Sequence, residues 1–284
     1  MRHTWPYRIG QCSLSMKERV MEIPLSVVIL AKNEEVRIEE CIKSVFGWAG
    51  EVIIIDDESL DRTVEIARRY AGKIFVRKMD LEGRQRNFGA LQAKFDWVLM
   101  LDCDERLTAE LKGEISETLK EQTDNTAAYW IPKINYLGAR RLRYGGWSNP
   151  HVKLYDKRYV RWSEAEYDVV HPGIKISEGY RGGNLKSAYV HYNFANLEDF
   201  IKKDNRYSTL EALKWHISGR KMGLGRALWR TQDRFFRRLL NRKGYKDGFY
   251  GFVAAFIGAS HELFTYAKYR EIKENNFYLD RLGK

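Results

Sequence analysis

The chain has 284 residues, 44% hydrophobic and 31% charged, which is enough apolar material for one large domain or a domain with an appendage. Its 49 Lys and Arg against 38 Asp and Glu leave a net charge of +11, and that balance points to an anionic partner: nucleic acid, an acidic membrane surface or a phosphorylated substrate. Three cysteines (Cys12, Cys41, Cys103) without CxxC spacing argue against a disulfide framework or a zinc cage and suit a reducing compartment.

Residues 1–23 are polar and irregular, lack the apolar core of a signal peptide, and read as a poorly ordered leader with Met16 or Met21 as alternative starts. "LSVVIL" (25–30) and "EVIIID" (51–56) are short β-branched runs of the kind buried in a parallel sheet. Between them, residues 34–46 have helical spacing, with Asn33 as the expected N-cap and Glu34 and Glu35 in the first turn. A second helix over 62–70, capped by Asp61, precedes a strand at 74–76, a helix near 84–93 and the strand "WVLML" (97–101). This alternation predicts βαβ units: an α/β fold with a mostly parallel sheet and helices on both faces. Ligands of such sheets sit beyond the carboxyl ends of the strands, where this chain places polar runs: 31–34, 56–59 and "DCDE" (102–105).

From about Ala128 the pattern changes. "AYWIPKINYL", "HVKLYD" and "YVRW" read as antiparallel strands around a Gly/Arg-rich turn at 138–146, followed by an irregular stretch over 163–186. From Leu197 the chain reads as helical. Its longest apolar stretch, 248–260, is too short to span a bilayer.

Two carboxylates at i and i+2 past a strand, Asp102 and Asp104, suit a divalent cation if a tight turn converges them; the other reading is that one caps the helix from Thr108 onward. Asp57 offers a carboxylate to a base N–H or a ribose hydroxyl, while Arg84 and Arg86 either pair with phosphates or form a solvated helix face. His191 ends a short strand and is either a metal ligand or structural. Trp147 in "YGGW" is either a sugar platform or core. Residues 219–246 are rich in Arg and Lys, with Leu224, Leu228, Phe235 and Leu239 at helical spacing. Such a helix meets an anionic bilayer or packs its apolar stripe on the α/β domain. No nucleic-acid module is recognised.

"SVVILAKNEE", "VIIIDDESLDRTVEIA", "GRQRNFG" and "DWVLMLDCDERLT", in this order and spacing, resemble a family 2 glycosyltransferase of the GT-A fold, in the subgroup of lipopolysaccharide-core β-1,4-glucosyltransferases. "YGGW", "VHY", "LEDFIKKDNRYSTL" and "YKDGFYGF" resemble the same subgroup's second half. The resemblance implies a catalytic domain over 24–195, with a nucleotide-sugar half (24–125) and an acceptor half (126–195), and a helical basic extension over 196–284.

It further implies a UDP-sugar donor, with glucose as the default hexose, and Mg2+ or Mn2+ as cofactor. Ala31, Asn33 and Glu34 would pass close to the nucleotide and Asp57 would read the base. Arg84, Arg86 and Asn87 would line the nucleotide and diphosphate side. Asp102 would contact the ribose or the metal shell, and Asp104, with His191, would hold the metal. The family inverts the anomeric centre, so a carboxylate of "RWSEAEYDVVHPG", Asp168 or Glu166, would be the general base; the subgroup's glutamate after the His is Pro172 here. The expected setting is cytoplasmic, peripheral on the inner face of the membrane, with a saccharide or lipid-linked acceptor of cell-envelope glycan synthesis. A non-catalytic nucleotide-binding protein on the same fold is the alternative; it would keep Asp57 and dispense with Asp104 and the base.

Overall fold

The computed structural model describes residues 23–121, 124–165 and 172–279. The leader expected over 1–23 therefore lies outside the described residues except for Ile23, which opens the first strand, and Glu166, Asp168 and His171 lie outside as well.

In chain order the elements are β1 (Ile23–Ala31), α1 (Ile38–Lys43), β2 (Ala49–Asp56), α2 (Thr63–Ala67), β3 (Lys73–Val76), α3 (Glu82–Gln92), β4 (Trp97–Asp102), β5 (Glu105–Arg106) and α4 (Ala109–Lys120). Then come β6 (Thr126–Ile131), β7 (Lys133–Leu137), β8 (Arg140–Leu142), β9 (His151–Asp156), β10 (Val160–Trp162), β11 (Ile174–Ile176), β12 (Arg181–Asn184) and β13 (Tyr189–Phe194). The chain closes with α5 (Leu197–Ile217), α6 (Leu224–Phe236), a π-helical turn (Arg237–Asn241), a 3-10 turn (Gly244–Asp247) and α7 (Gly248–Asn275).

The main sheet has seven strands in the order β12-β6-β9-β4-β1-β2-β3. β3, β2, β1 and β4 are parallel, while β9 runs antiparallel to both β4 and β6. The β-branched runs are buried on both faces. Val27, Ile29, Ile54 and Leu99 pack under Cys41 and Ile42 of α1, Val45 just after it, and Leu111 and Ile115 of α4. Val28, Ile53, Ile55, Val98 and Met100 face Ala90 of α3 and Trp162 of β10. Alternation with period two thus gives each face its own core. Sheet order reverses between β1 and β4, so their carboxyl ends open a crevice, the position where open α/β sheets take ligands. The α/β architecture is the one expected.

Three local expectations need correction. Asn33 does not cap a helix; it adopts φ +54° and its Oδ1 accepts from Leu60 N, while α1 starts only at Ile38. The reason is competition from the loop after β2. Ser59 Oγ, Thr63 Oγ1 and Asp61 Oδ2 accept the successive backbone N–H groups of Asn33, Glu34 and Glu35, so these donors tie two loops together instead of opening a helix. Asp61 is shared between that tie and Thr63 N, at the start of an α2 of five residues. Finally, β11 and β12 lie in the stretch expected to be irregular, and β12 joins the main sheet parallel to β6.

A second sheet, β5-β13-β7-β8, sits at the carboxyl edge of the first. The C-terminal helices pack against it through Phe200 of α5 and Ala254 of α7, which share an apolar cluster with Leu137, Leu142 and Phe194.

Candidate active site

The turn after β4 bends because β5 pairs with β13, setting Glu105 opposite His191, while Tyr192 N donates to Asp104 O at 2.9 Å. Arg106 clamps the same turn from the other side, donating to the carbonyls of Cys103 and Arg37 at 2.7 and 2.8 Å. Neither aspartate caps α4; Thr108 does, its Oγ1 accepting from Leu111 N. Cys103 is buried between them with its Sγ 3.2 Å from Leu30 O, and serves as a spacer.

The clustered negative charge is answered from below. Lys153, in the middle of β9 and only 3% exposed, donates to Asp102 Oδ2 at 3.0 Å and Glu105 Oε2 at 2.6 Å. Arg86, nearly as buried, donates to Asp102 Oδ1 at 3.2 Å and to Glu82, and lies over the Trp162 ring. Burial works to raise the pKa of Asp102, but Lys153 and Arg86 hold it far below the usual carboxylate range. Asp102 N also donates to Glu105, so Glu105 supports the turn. Sequence reasoning missed Lys153, although a lysine amid "HVKLY" was a readable anomaly: a buried ammonium needs carboxylates.

Asp104 is placed differently. His191 Nε2 lies 3.4 Å from its Oδ1 and Lys203 Nζ 3.6 Å from its Oδ2. Burial pushes its pKa up; His191 in its imidazolium form, with Lys203, outweighs that and brings it to about 2. Asn135 settles the His191 tautomer. Its Nδ2 donates to Trp147 O, which turns its Oδ1 toward His191 Nδ1 at 2.9 Å. Nδ1 therefore carries a proton, and in the singly protonated imidazole the Nε2 lone pair faces a carboxylate oxygen. Two acceptors held together in this way call for a second proton or a cation between them. An oxygen and an imidazole nitrogen are a suitable partial donor set for Mn2+ or Mg2+. Among the described residues no three His, Cys, Asp or Glu side chains form a metal-holding group, so a cation bound here would take its other ligands from substrate and water.

Asp104 and Asp102 line a cleft of about 1590 Å³, together with Ala31, Glu34, Asp57, Arg84, Arg86 and His191. Asp57 is 5% exposed; its Oδ1 accepts from Met79 N at 2.7 Å and its Oδ2 from Lys32 Nζ at 2.6 Å. Arg84 pairs with Asp80 at the cleft rim. Among the described residues, two expected ones are not in the lining. Asn33 is turned to the loop after β2, and Asn87 is spent on β10, where its amide donates to Trp162 O and Glu164 and accepts from Trp162 N. The reason for Asn87 lies one helical turn away. A Cβ on Gly83 would come within 1.8 Å of Ser163 O, so glycine lets α3 close onto the end of β10, and Asn87 satisfies the backbone there.

A model of glycosyl transferase family 2 matches residues 26–179. A protein of Rickettsia bellii (strain RML369-C) described as an uncharacterized glycosyltransferase is 32% identical over 87% of this chain and 86% of its own length. The lipopolysaccharide core biosynthesis glycosyltransferase LpsC of Rhizobium meliloti (strain 1021) is 28% identical over 88% of this chain and 93% of its own. Among solved structures, the mannosyltransferase PcManGT of Pyrobaculum calidifontis in complex with GDP-Man and Mn2+ shares the fold at a TM-score of 0.54 and 11% identity, covering 90% of each chain. With a family model spanning more than half its length and full-length relatives of the same description, this chain belongs to glycosyl transferase family 2.

Proposed function

We propose that the protein is an inverting, metal-dependent hexosyltransferase that moves a sugar, glucose by default, from a UDP-sugar to a saccharide or lipid-linked acceptor of cell-envelope glycan synthesis. The observation that carries this reading is the facing pair of Asp104 and His191, whose Oδ1 and Nε2 stand 3.4 Å apart at the mouth of β4. A divalent ion bound there neutralises the charge that develops on the departing diphosphate. Asp104 and His191 are the residues that would hold it, and Asn135 fixes the imidazole so that Nε2 is free for it.

The remaining roles belong to the chain itself. Asp57, at the floor of the cleft, accepts from the nucleobase or ribose once Lys32, 55% exposed, swings away. Arg84 at the rim offers charge to the diphosphate. Asp102 is saturated by Arg86 and Lys153, which makes it a fixed anion that orients the ribose. Asp168, or else Glu166, takes the acceptor hydroxyl proton. One base suffices because the leaving group departs unprotonated. The C-terminal basic helices meet an anionic bilayer on the cytoplasmic face.

The test is Mn2+-dependent binding of UDP, followed by calorimetry, in the unaltered protein and in Asp104→Asn and His191→Ala. We expect Mn2+ to tighten UDP binding at least ten-fold in the unaltered protein and no more than two-fold in Asp104→Asn. If Asp104→Asn keeps the full Mn2+ effect, the metal reading fails.

A further inference from the structure

The cleft is electrically divided. Every carboxylate in its described lining comes from the chain up to Glu105. From Trp130 onward the lining brings Lys133, Lys153, Lys203, Arg206, Arg234 and Arg238, and no carboxylate among the described residues. Lys153 and Lys203 answer the aspartates at the mouth of β4. The others have no such duty.

Arg238 is the most telling. It comes from the π-helical turn after α6, and its Nη1 is buried without a hydrogen-bond partner among the described residues. Its guanidinium lies 4.4 Å over the Trp147 ring. One turn earlier, Arg234 is matched by Glu262, the carboxylate that also takes Arg230. Arg238 has no ion-pair partner among the described residues, and Asp204, which attracts it from further off, is taken by His261. Burying a guanidinium donor beside two other arginines is costly, and burial together with Arg234 and Arg242 pushes the Arg238 pKa down to about 10. An anion in the cleft, which Arg238 lines, would relieve the electrostatic penalty. Arg206, exposed on α5, reaches the same lining with Tyr207 beside it.

The position fits the acceptor. Trp147, which stacks under Arg238, gives its carbonyl to Asn135, and Asn135 accepts from His191 beside Asp104. The cationic end of the cleft is thus joined to the expected sugar-transfer point by one tryptophan and one asparagine. Trp147 and Arg238 both line the cleft, so an anionic saccharide there would meet apolar ring surface and a charge for its substituent.

We propose that Arg238 and Arg206, with Trp147 as the platform, form a subsite for a phosphate or carboxylate group carried by the acceptor saccharide. This inference deepens the transferase reading and rests on it for the word acceptor, but the subsite is testable alone. With UDP and Mn2+ saturating the donor end, binding of methyl α-mannopyranoside and of its 6-phosphate is compared by calorimetry.

The unaltered protein is expected to favour the phosphorylated glycoside at least ten-fold, and Arg238→Gln to reduce that preference below two-fold while its UDP affinity stays unchanged. Equal affinity for the two glycosides in the unaltered protein would overturn the proposal, and so would an undiminished preference in Arg238→Gln. Should Arg238→Gln lose UDP binding through misfolding, Arg206→Gln on the exposed face of α5 decides: a reduced preference supports the subsite and an intact one overturns it. If Arg238→Gln kept the preference but lost binding to phosphatidylglycerol vesicles, the arginine would serve a lipid headgroup, and the subsite would fall. Were UDP not to bind the unaltered protein, the donor reading would fail, and the same glycosides tested without UDP would still judge the subsite.

Discussion

Asp102 and Asp104 stand two residues apart and live in different electrostatic worlds. Asp102 is held between Arg86 and Lys153, while Asp104 meets an imidazole whose proton points elsewhere. The consequence for Asp102 can be measured as stability. Its pKa is depressed in the folded protein, so the stability it lends is present above its unfolded value of about 3.9 and is lost as pH falls through the folded one. Its side chain is 38% exposed to the cleft, so solvent screens part of the effect, and Asp102→Asn is expected to cost roughly 1–2 kcal/mol at pH 7. Thermal unfolding of both proteins across pH 3–7 checks this: the gap in Tm should be full from pH 5 upward, begin to narrow below about pH 4 and still be narrowing at pH 3. A gap that persists unchanged at pH 3 would mean that the carboxylate charge contributes nothing.

At the scale of elements, α6 is joined to α7 by Glu262, 3% exposed, which takes Arg230 at 2.7 and 3.0 Å and Arg234 as well. Removing one side of a fully buried pair costs about 3–5 kcal/mol; the arginines here are 32% and 30% exposed, so Glu262→Ala should cost roughly 2–3 kcal/mol. Urea unfolding measures that loss, and amide exchange should show it concentrated in residues 224–236, with UDP binding at the distant strand ends unaltered. Equal stability of the two proteins would show the pair to be idle.

The same elements show what the sequence made legible. The strands β1, β2 and β4 were readable because β-branched runs buried on both faces carry a local signal, and the polar endings followed from the ends of those runs. Asn33 and Asp61 looked like caps because a cap is also local chemistry; the structure spends them on a loop-to-loop tie that only the paired β1 and β2 create. Asn87 was misjudged for the same reason, since its partner Trp162 lies 75 residues away. Lys153, Asn135, Arg234 and Arg238 reach the site through antiparallel pairing and helix docking, which no short motif encodes.

At the scale of the whole molecule, the basic excess and the exposed aromatics occupy one region. Residues 220–246 carry ten Arg and Lys against a single carboxylate, Asp233. Beside them Phe249 is 73% exposed, Phe256 57%, Phe236 54% and Phe252 45%, with Phe252 stacked on Phe256 and edge-on to Phe235. A soluble surface gains nothing from four exposed phenylalanines in one patch, whereas a bilayer interface takes up aromatic faces and pairs the flanking cations with lipid phosphates. Among the described residues no helix is long and apolar enough to cross a membrane, so the contact would be with the surface. The stretch that bears Phe236 and Leu240 outward also sends Arg234 and Arg238 into the cleft, so a lipid-borne acceptor would find the cationic end of the cleft beside the patch. Co-sedimentation with vesicles tests this without disturbing the core. Burial of one Phe contributes about 1.5–3 kcal/mol, so Phe249→Ser with Phe252→Ser should weaken binding to phosphatidylglycerol vesicles by more than ten-fold. Binding should also fall in 0.5 M salt, as Arg242, Lys243 and Lys246 are screened, and be weak on phosphatidylcholine throughout. Equal binding to the neutral and anionic vesicles, or no response to the two serines, would remove the membrane from the account of this surface.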